Sequence, residues 1–174
     1  MASYYHVVGI GNAIMDVIAP VDDTFLLDHH MTKGIMSLID QDRALSLDAA
    51  FRDAGSVQTI AGGSAANTMV GIAAMGLRAA YIGKVGKDRT GTALSDGFTE
   101  AGLDFATRPT ESGTASARSM IAVTPDGERT MNTFLGASVE FEKADVKDAM
   151  IRAADVLYLE GYLFDADPAK AAFV

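Results

Sequence analysis

A short strand-like run, a pair of glycines and a helix of small residues follow one another directly in this chain. Residues 57–60 have the β-branched character of a strand, Gly62 and Gly63 come next, and residues 64–75 have the spacing of a helix. A strand that passes straight into a helix is typical of folds in which helices pack against a sheet. Because glycine carries no side chain, the backbone here can come within contact distance of a small ligand. The sequence therefore predicts an α/β fold with a ligand-contacting turn.

The alternation of strand-length and helical segments extends along most of the chain and supports the same fold class. Ser64 and Asp88 are residue types that begin helices, and Gly76 and Gly102 are suited to end them. The predicted strands are 6–10, 57–60, 79–82 and 156–159, and the predicted helices are 64–75, 88–101, 145–154 and a segment that begins after Pro168.

Two regions depart from this alternation and predict a small β-lid. The first contains Asp-rich and Met-rich extended pieces, and the second contains two strand-like runs joined by Pro125-Asp126-Gly127. That tripeptide suits a tight hairpin, because proline is favoured early in the turn and glycine takes the left-handed position after it. We expect a lid formed by 15–39 and 113–134, inserted into an α/β core formed by 1–14, 40–112 and 135–174.

The composition is that of a globular chain, and it excludes several classes of function. Of the 174 residues 49% are hydrophobic, the net charge is −9, and there is no cysteine. The chain therefore has neither disulfides nor thiolate metal sites, and without a basic cluster we expect no nucleic-acid partner. No apolar run is long enough to cross a membrane and the N-terminus lacks the layout of a signal peptide, so we expect a cytoplasmic protein without a membrane partner.

Other enzyme motifs fit the sequence poorly. The third glycine of a dinucleotide-binding fingerprint that starts at Gly9 is replaced by Ile14. The histidines His6, His29 and His30 do not have the spacing of zinc ligands, and we expect no metal site in this chain.

Several motifs occur in an order that is typical of one kinase family. They are Gly9 to Val17, Gly62-Gly63-x-x-x-Asn67, Gly83-x-x-Gly86-x-Asp88-x-x-Gly91, Gly113-Thr114-Ala115 and Asp126-Gly127-Glu128-Arg129. In this order they resemble the ribokinase-like, PfkB-type sugar and nucleoside kinases, over nearly the whole chain. The opening motif and Leu159-Glu160-Gly161-Tyr162 are most similar to the adenosine kinase branch of that family.

The resemblance implies a three-layer α/β/α core with a small β-lid, and an ATP- and Mg-dependent phosphotransferase acting on a primary hydroxyl of a sugar or nucleoside, adenosine or ribose-like. By the same resemblance Asp16 accepts hydrogen bonds from sugar hydroxyls, and Asn67 contacts a hydroxyl. Gly62 and Gly63 form the hinge and contact substrate through their backbone. On the residues alone, Asp16 could instead cap a turn, and Asn67 could bond to nearby backbone.

Three further residues are assigned to the site by the resemblance. Arg129, in the lid hairpin, would offset the charge that develops on a transferred phosphate, or it is a solvated surface residue. Met131 and Tyr162 would cover the base of a nucleoside, or they belong to the core.

The segments that the family uses for chemistry are missing from this sequence. It contains no Gly-Ala-Gly-Asp run and no later Asn-x-x-Glu motif, so no catalytic residue is assigned. Residues 167–174 begin a helix and stop without a cap, which predicts a truncated, amino-terminal part of a longer protein, although a short docked terminal helix fits too.

Two functions follow from these predictions. The first is the substrate-binding half of a kinase, which alone does not transfer phosphate. The second is a non-catalytic sugar- or nucleoside-binding module that lacks the nucleotide site. The expected partner in both is a small molecule, and the chain is expected to be a monomer or a lid-mediated homodimer.

Overall fold

Two β-sheets organise the part of the chain that the computed structural model describes, residues 4–105, 107–165 and 167–173. The strands are β1 (Tyr5–Ile10), β2 (Ile14–Pro20), β3 (Met36–Leu38), β4 (Gln58–Gly62), β5 (Ala79–Ile82), β6 (Asp104–Phe105), β7 (Ala117–Val123), β8 (Arg129–Phe134) and β9 (Ala154–Leu159). The α-helices are α1 (Asp23–Asp28), α2 (Gln41–Ala54), α3 (Ser64–Ala74), α4 (Arg89–Glu100), α5 (Asp148–Arg152) and α6 (Asp167–Ala172). Short 3₁₀ turns occupy Gly136–Glu140, Lys143–Asp145 and Gly161–Asp165.

The first sheet is entirely parallel and has the strand order β6-β5-β1-β9. Alternate residues of its strands point to opposite faces. Val8 and Ile10 belong to a buried cluster with Phe141 and Leu163 on one face, whereas Tyr81 packs on the other face with residues of α3 and α4. The sheet therefore lies between two helical layers, which confirms the predicted three-layer α/β/α arrangement.

The second sheet is mixed and has the strand order β3-β8-β7-β2-β4. β7 and β8 form the predicted antiparallel hairpin, with Gly127 at φ +85° in its turn. β4 falls within the predicted core segment 40–112, yet it pairs antiparallel with β2 in this sheet rather than with a strand of the first. The boundaries of core and lid as a whole stay a prediction.

One face of the second sheet is buried against helices. Val17 of β2 and Met120 of β7 pack there in the same apolar cluster as Leu47 and Phe51 of α2. The opposite face carries Asp16, because successive residues of a strand point to opposite sides. No helix in the described part of the chain is long and apolar enough to cross a membrane.

Several predicted elements form within one or two residues of their predicted ends. β5 has the predicted bounds, and α4 begins after Asp88, whose carboxylate accepts a hydrogen bond from Gly91 N at 2.7 Å. α3 begins at Ser64 but its N-cap is Gly63, so the predicted capping role of Ser64 is wrong. The Ser64 hydroxyl donates instead to the distant Glu160.

The helix predicted at 145–154 is only partly formed, since α5 starts three residues after a 3₁₀ turn that ends at Asp145. The Asp145 carboxylate accepts hydrogen bonds from Lys84 Nζ at 2.5 Å and from Glu142 N at 3.0 Å. These bonds fix Asp145 in the turn, and a long-range ion pair of this kind leaves no signal in the local sequence.

Candidate functional site

The carboxyl end of β1 lies at a topological switch point of the first sheet. β1 has β5 on one side and the later strand β9 on the other. In open parallel sheets, ligands bind outside the carboxyl ends of the strands at such a switch point. Asn12, Gly63 and Glu160 meet at this end of the sheet, which we therefore take as the candidate site.

Glu160 connects the ends of three elements at this site. It follows β9 directly and is only 5% exposed. Its Oε2 accepts a hydrogen bond from Asn12 N at 2.7 Å, and its Oε1 accepts from Ala65 N at 3.2 Å and from the Ser64 hydroxyl. One buried carboxylate thus holds the turn after β1 and the first turn of α3 in fixed positions. Hydrogen bonds to charged groups are the stronger ones in proteins.

The sequence analysis assigns no role to Glu160 beyond its place in a family motif. The signal that could have identified it is an acidic residue at the carboxyl end of a strand-length apolar run, 154–159. Strand ends of this kind meet at one edge of a parallel sheet, where functional side chains gather.

The two glycines before α3 allow a close approach of backbone and side chains. Gly63 has φ +107°, and a Cβ added to it would lie 2.3 Å from the carbonyl oxygen of Asn12. A Cβ on Gly62 would lie 2.7 Å from Oδ2 of Asp16. Only glycine fits both positions, so the structure brings Asp16, Gly62 and Gly63 together as one surface.

Asp16 is a half-buried carboxylate on β2. Its register partners are Ile60 of β4 and Ser119 of β7. Within the described part of the chain, no group donates a hydrogen bond to it. Burial raises the pKa of Asp16 to about 6, and the positive charge of Arg129 partly opposes that rise. The site therefore contains an acceptor that is ionised at neutral pH and free to bind hydroxyl groups.

A second acceptor without a partner lies nearby in Asn12. The residue is 4% exposed, and its Oδ1 is buried without a hydrogen bond among the residues described. Buried polar atoms in proteins are nearly always bonded, so an orphaned one needs a physical explanation.

Asn67 lies on the first turn of α3, four residues after Gly63. Its backbone N–H donates to the carbonyl oxygen of Gly63 at 2.8 Å, and its side chain is exposed. The backbone thus links Asn67 to the glycine surface and leaves its amide group available.

Arg129 and Met131 share the face of the second sheet that carries Asp16. Ser119 pairs with Asp16 on one side and with Thr133 on the other, and residues two and four positions before Thr133 point the same way. Met131 is half-buried, and Arg129 is exposed at the beginning of β8. The face therefore has a carboxylate, an apolar side chain and a cation.

Tyr162 lies apart from that face. It belongs to the 3₁₀ turn Gly161–Asp165 after Glu160, at the carboxyl end of β9, and 70% of its side chain is exposed. A core role for Tyr162 is excluded by this exposure, and a role in covering a base stays a prediction.

The described residues contain no cluster of metal-ligating side chains. Among residues 4–105, 107–165 and 167–173, no group of three or more His, Cys, Asp or Glu side chains could hold a metal ion. Mg is usually held by one or two carboxylates together with substrate phosphates, and the described residues show no cluster that would form such a centre on its own. No reaction step through a metal-bound nucleotide is therefore assigned to this chain.

Known proteins are similar to this chain in both sequence and fold. The model of the pfkB family of carbohydrate kinases matches residues 31–173. An adenosine kinase from Sinorhizobium meliloti superposes with a TM-score of 0.87 at 46% identity, over 98% of this chain and 51% of that one. A probable sugar kinase from Rhizobium etli gives a TM-score of 0.87 at 43% identity, over 97% and 50%.

A curated plant adenosine kinase is also similar in sequence, at lower identity. Adenosine kinase 2 of Arabidopsis thaliana is 27% identical over 95% of this chain and 49% of its own length. The chain thus spans about half the length of the curated adenosine kinases it matches. Since the family match covers most of the residues, the chain belongs to the pfkB family of carbohydrate kinases and has their ribokinase-like α/β fold.

Proposed function

We propose that this chain is the substrate-binding part of an ATP-dependent kinase that phosphorylates a primary hydroxyl of a sugar or nucleoside, with adenosine as the preferred class. The observation that carries the proposal is the half-buried Asp16 carboxylate, which lies against Gly62 and has no partner among the described residues. The similarity to an enzyme named adenosine kinase supports the choice of a nucleoside.

The unpartnered Asp16 carboxylate explains why a polyol suits this site. The two oxygens of the Asp16 carboxylate can each accept a hydrogen bond, and a ribose ring offers hydroxyls on adjacent carbons. A bond to the ionised Asp16 is stronger than one to a neutral acceptor. The Gly62-Gly63 backbone would let the sugar approach the Asp16 carboxylate, and the exposed Asn67 amide would add a group that both donates and accepts.

Arg129 and Met131 would contribute from the second sheet. Met131 presents a flexible apolar surface to a base on the face that carries Asp16. Arg129 provides a positive charge close enough to influence the pKa of Asp16. That cation would offset negative charge on a phosphorylated product.

ATP would supply the transferred phosphoryl group, with Mg to neutralise its charge. The sequence has no Gly-Ala-Gly-Asp run, and the described residues have no acidic cluster for the metal. We therefore expect no turnover when the chain is incubated with ATP, Mg and adenosine. Formation of adenosine monophosphate in that assay would contradict the assignment as a binding part alone.

The binding test is calorimetric titration of the chain with adenosine, ribose and fructose at pH 7.5. The substitution Asp16→Asn removes the charge of the acceptor and should weaken adenosine binding about tenfold or more. A hydrogen bond to a charged group contributes about 1.5 to 3 kcal/mol. Binding to the original chain should also weaken below about pH 6, where Asp16 becomes protonated.

The matched control is Asp53→Asn, an exposed carboxylate in the last turn of α2. It makes the same chemical change away from the site, and we expect adenosine binding within twofold of the original. Equal effects of the two substitutions would contradict the role of Asp16.

The second candidate function is a non-catalytic binding module, which the absence of a Gly-Ala-Gly-Asp run from this sequence favours. Such a run encoded after residue 174 would decide for the kinase.

A further inference from the structure

A second cavity lies on the opposite face of the sheet that carries Asp16. Its volume is about 290 Å³, and it is bounded by the second sheet, α2 and the first turns of α4. Met15 and Val17 of β2 line it, so Asp16, which lies between them, points to the other side of the strand. The cavity is thus separate from the candidate sugar site. We call it the anion cavity because of the charges that line it.

Positive charge dominates the anion cavity. Arg52, Arg89 and Arg118 line it, and Asp48 is the single acidic residue among its lining. Arg52 neutralises that carboxylate with Nε at 2.8 Å and Nη2 at 3.1 Å from its two oxygens. Arg118 is close enough to Asp88, outside the cavity lining, for its charge to lower the pKa of that carboxyl, and Arg89 has no carboxylate partner among the described residues. The cavity lining thus keeps an excess of positive charge in a chain whose net charge is −9.

The two remaining arginines are arranged to receive an anion. Arg118 is half-buried, and its Nη2 donates to the Thr90 hydroxyl at 2.7 Å, which fixes the orientation of the guanidinium. Arg89 lines the same cavity from the first turn of α4. Within the described part of the chain, neither residue forms an ion pair.

We propose that the anion cavity is a second ligand site, which takes a small molecule bearing a phosphate or diphosphate group. Guanidinium groups bind phosphate oxygens through two parallel hydrogen bonds, and two arginines on different elements can hold one group from two sides. The hydroxyls of Thr59 and Thr90 at the cavity wall supply further donors. The volume leaves room for more than a bare ion.

The test is calorimetric titration of the 174-residue chain with inorganic pyrophosphate and with inorganic phosphate at low salt. Saturable binding to one site is expected, with affinity that falls as salt is added. Arg89→Gln and Arg118→Gln should each weaken pyrophosphate binding about tenfold. Arg118→Lys should restore only part of the loss, because lysine lacks the planar fork.

The matched control is Arg108→Gln, which removes the same charge from an exposed residue outside the cavity. It should change pyrophosphate affinity less than twofold. Any of three results would overturn the proposal. They are an equal loss of pyrophosphate affinity in the control, titration of the original chain without saturation, and binding only to long polyanions such as heparin. Arg89 is exposed, so its substitution leaves the fold intact even if that of Arg118 destabilises it, and thermal melting checks both variants.

Discussion

Asp16 shows how a single partly buried carboxylate opposes the stability of its own fold. Burial raises its pKa from 3.8 to about 6, so the folded chain holds the proton more tightly than the unfolded chain does. The stability that the protonated carboxyl contributes is present below about pH 4 and is lost as the pH rises through about 6. At neutral pH the ionised group therefore destabilises the folded state.

Asp16→Asn should consequently stabilise the chain at pH 7.5 while it weakens nucleoside binding. A pKa rise of about 2 units corresponds to about 3 kcal/mol, which solvent screening reduces to on the order of 1 to 2 kcal/mol for this partly exposed group. Urea unfolding at pH 7.5 and pH 4 measures the effect, and the gain should largely vanish at pH 4. A gain of the same size at both pH values, or an equal gain in Asp53→Asn, would show that charge burial is not its cause.

The beginning of α3 shows what local sequence can and cannot predict about an element. The glycine pair and the small residues after it are contiguous, and they correctly predict a helix that begins at Ser64. The group that bonds to the first turn is Glu160, which lies 95 positions after Ala65. Glu160 reaches this turn because β9 pairs with β1 in the sheet, and the local sequence around α3 does not indicate that pairing. The same reason explains why the sheet membership of β4 and the short length of α5 escaped prediction.

Glu160→Gln should destabilise the beginning of α3. The carboxylate accepts from three donors, Asn12 N, the Ser64 hydroxyl and Ala65 N, and an amide would turn an N–H group toward one of them. We expect a loss of about 2 kcal/mol in the free energy of unfolding. Hydrogen exchange at the Ala65 amide should become faster than in the original chain.

The control for this element is Glu111→Gln, an exposed carboxylate whose partner is Lys87 at 3.2 Å on the surface. Such surface pairs contribute little, so its effect should stay below about 0.5 kcal/mol. If both variants lose the same stability, or if exchange at Ala65 is unchanged in Glu160→Gln, the carboxylate does not hold the helix.

At the scale of the whole molecule, the first sheet has an exposed and apolar edge. β9 is its last strand, and Val156, Leu157, Tyr158 and Leu159 are each between 39% and 54% exposed. An edge strand has one row of backbone groups without a strand partner, and an apolar edge strand therefore tends to pair with another chain. The second sheet also has an apolar edge strand, β3, with Leu38 exposed.

We expect the chain to self-associate through β9 as its concentration rises, which sedimentation velocity can follow. Leu157→Lys should shift the distribution toward monomer, because it places a charge on the pairing strand. Leu38→Lys is the matched substitution at the edge of the second sheet and should have little effect. If Leu38→Lys alone restores the monomer, the association is the lid-mediated dimer predicted from the sequence, and if neither does, both edges are excluded.

Two of the connections between the sheets lie side by side, since the carbonyl oxygen of Asn12 after β1 is close to Gly63 before α3. Rotation of the second sheet about this point would displace the backbone little at either connection. Asp16, four residues from Asn12, and Arg129, next to the turn of the hairpin, belong to the same sheet and would move together, with Arg129 farther from the point of rotation. A change in the angle between the two sheets would therefore change the distance of Arg129 from the first sheet more than that of Asp16.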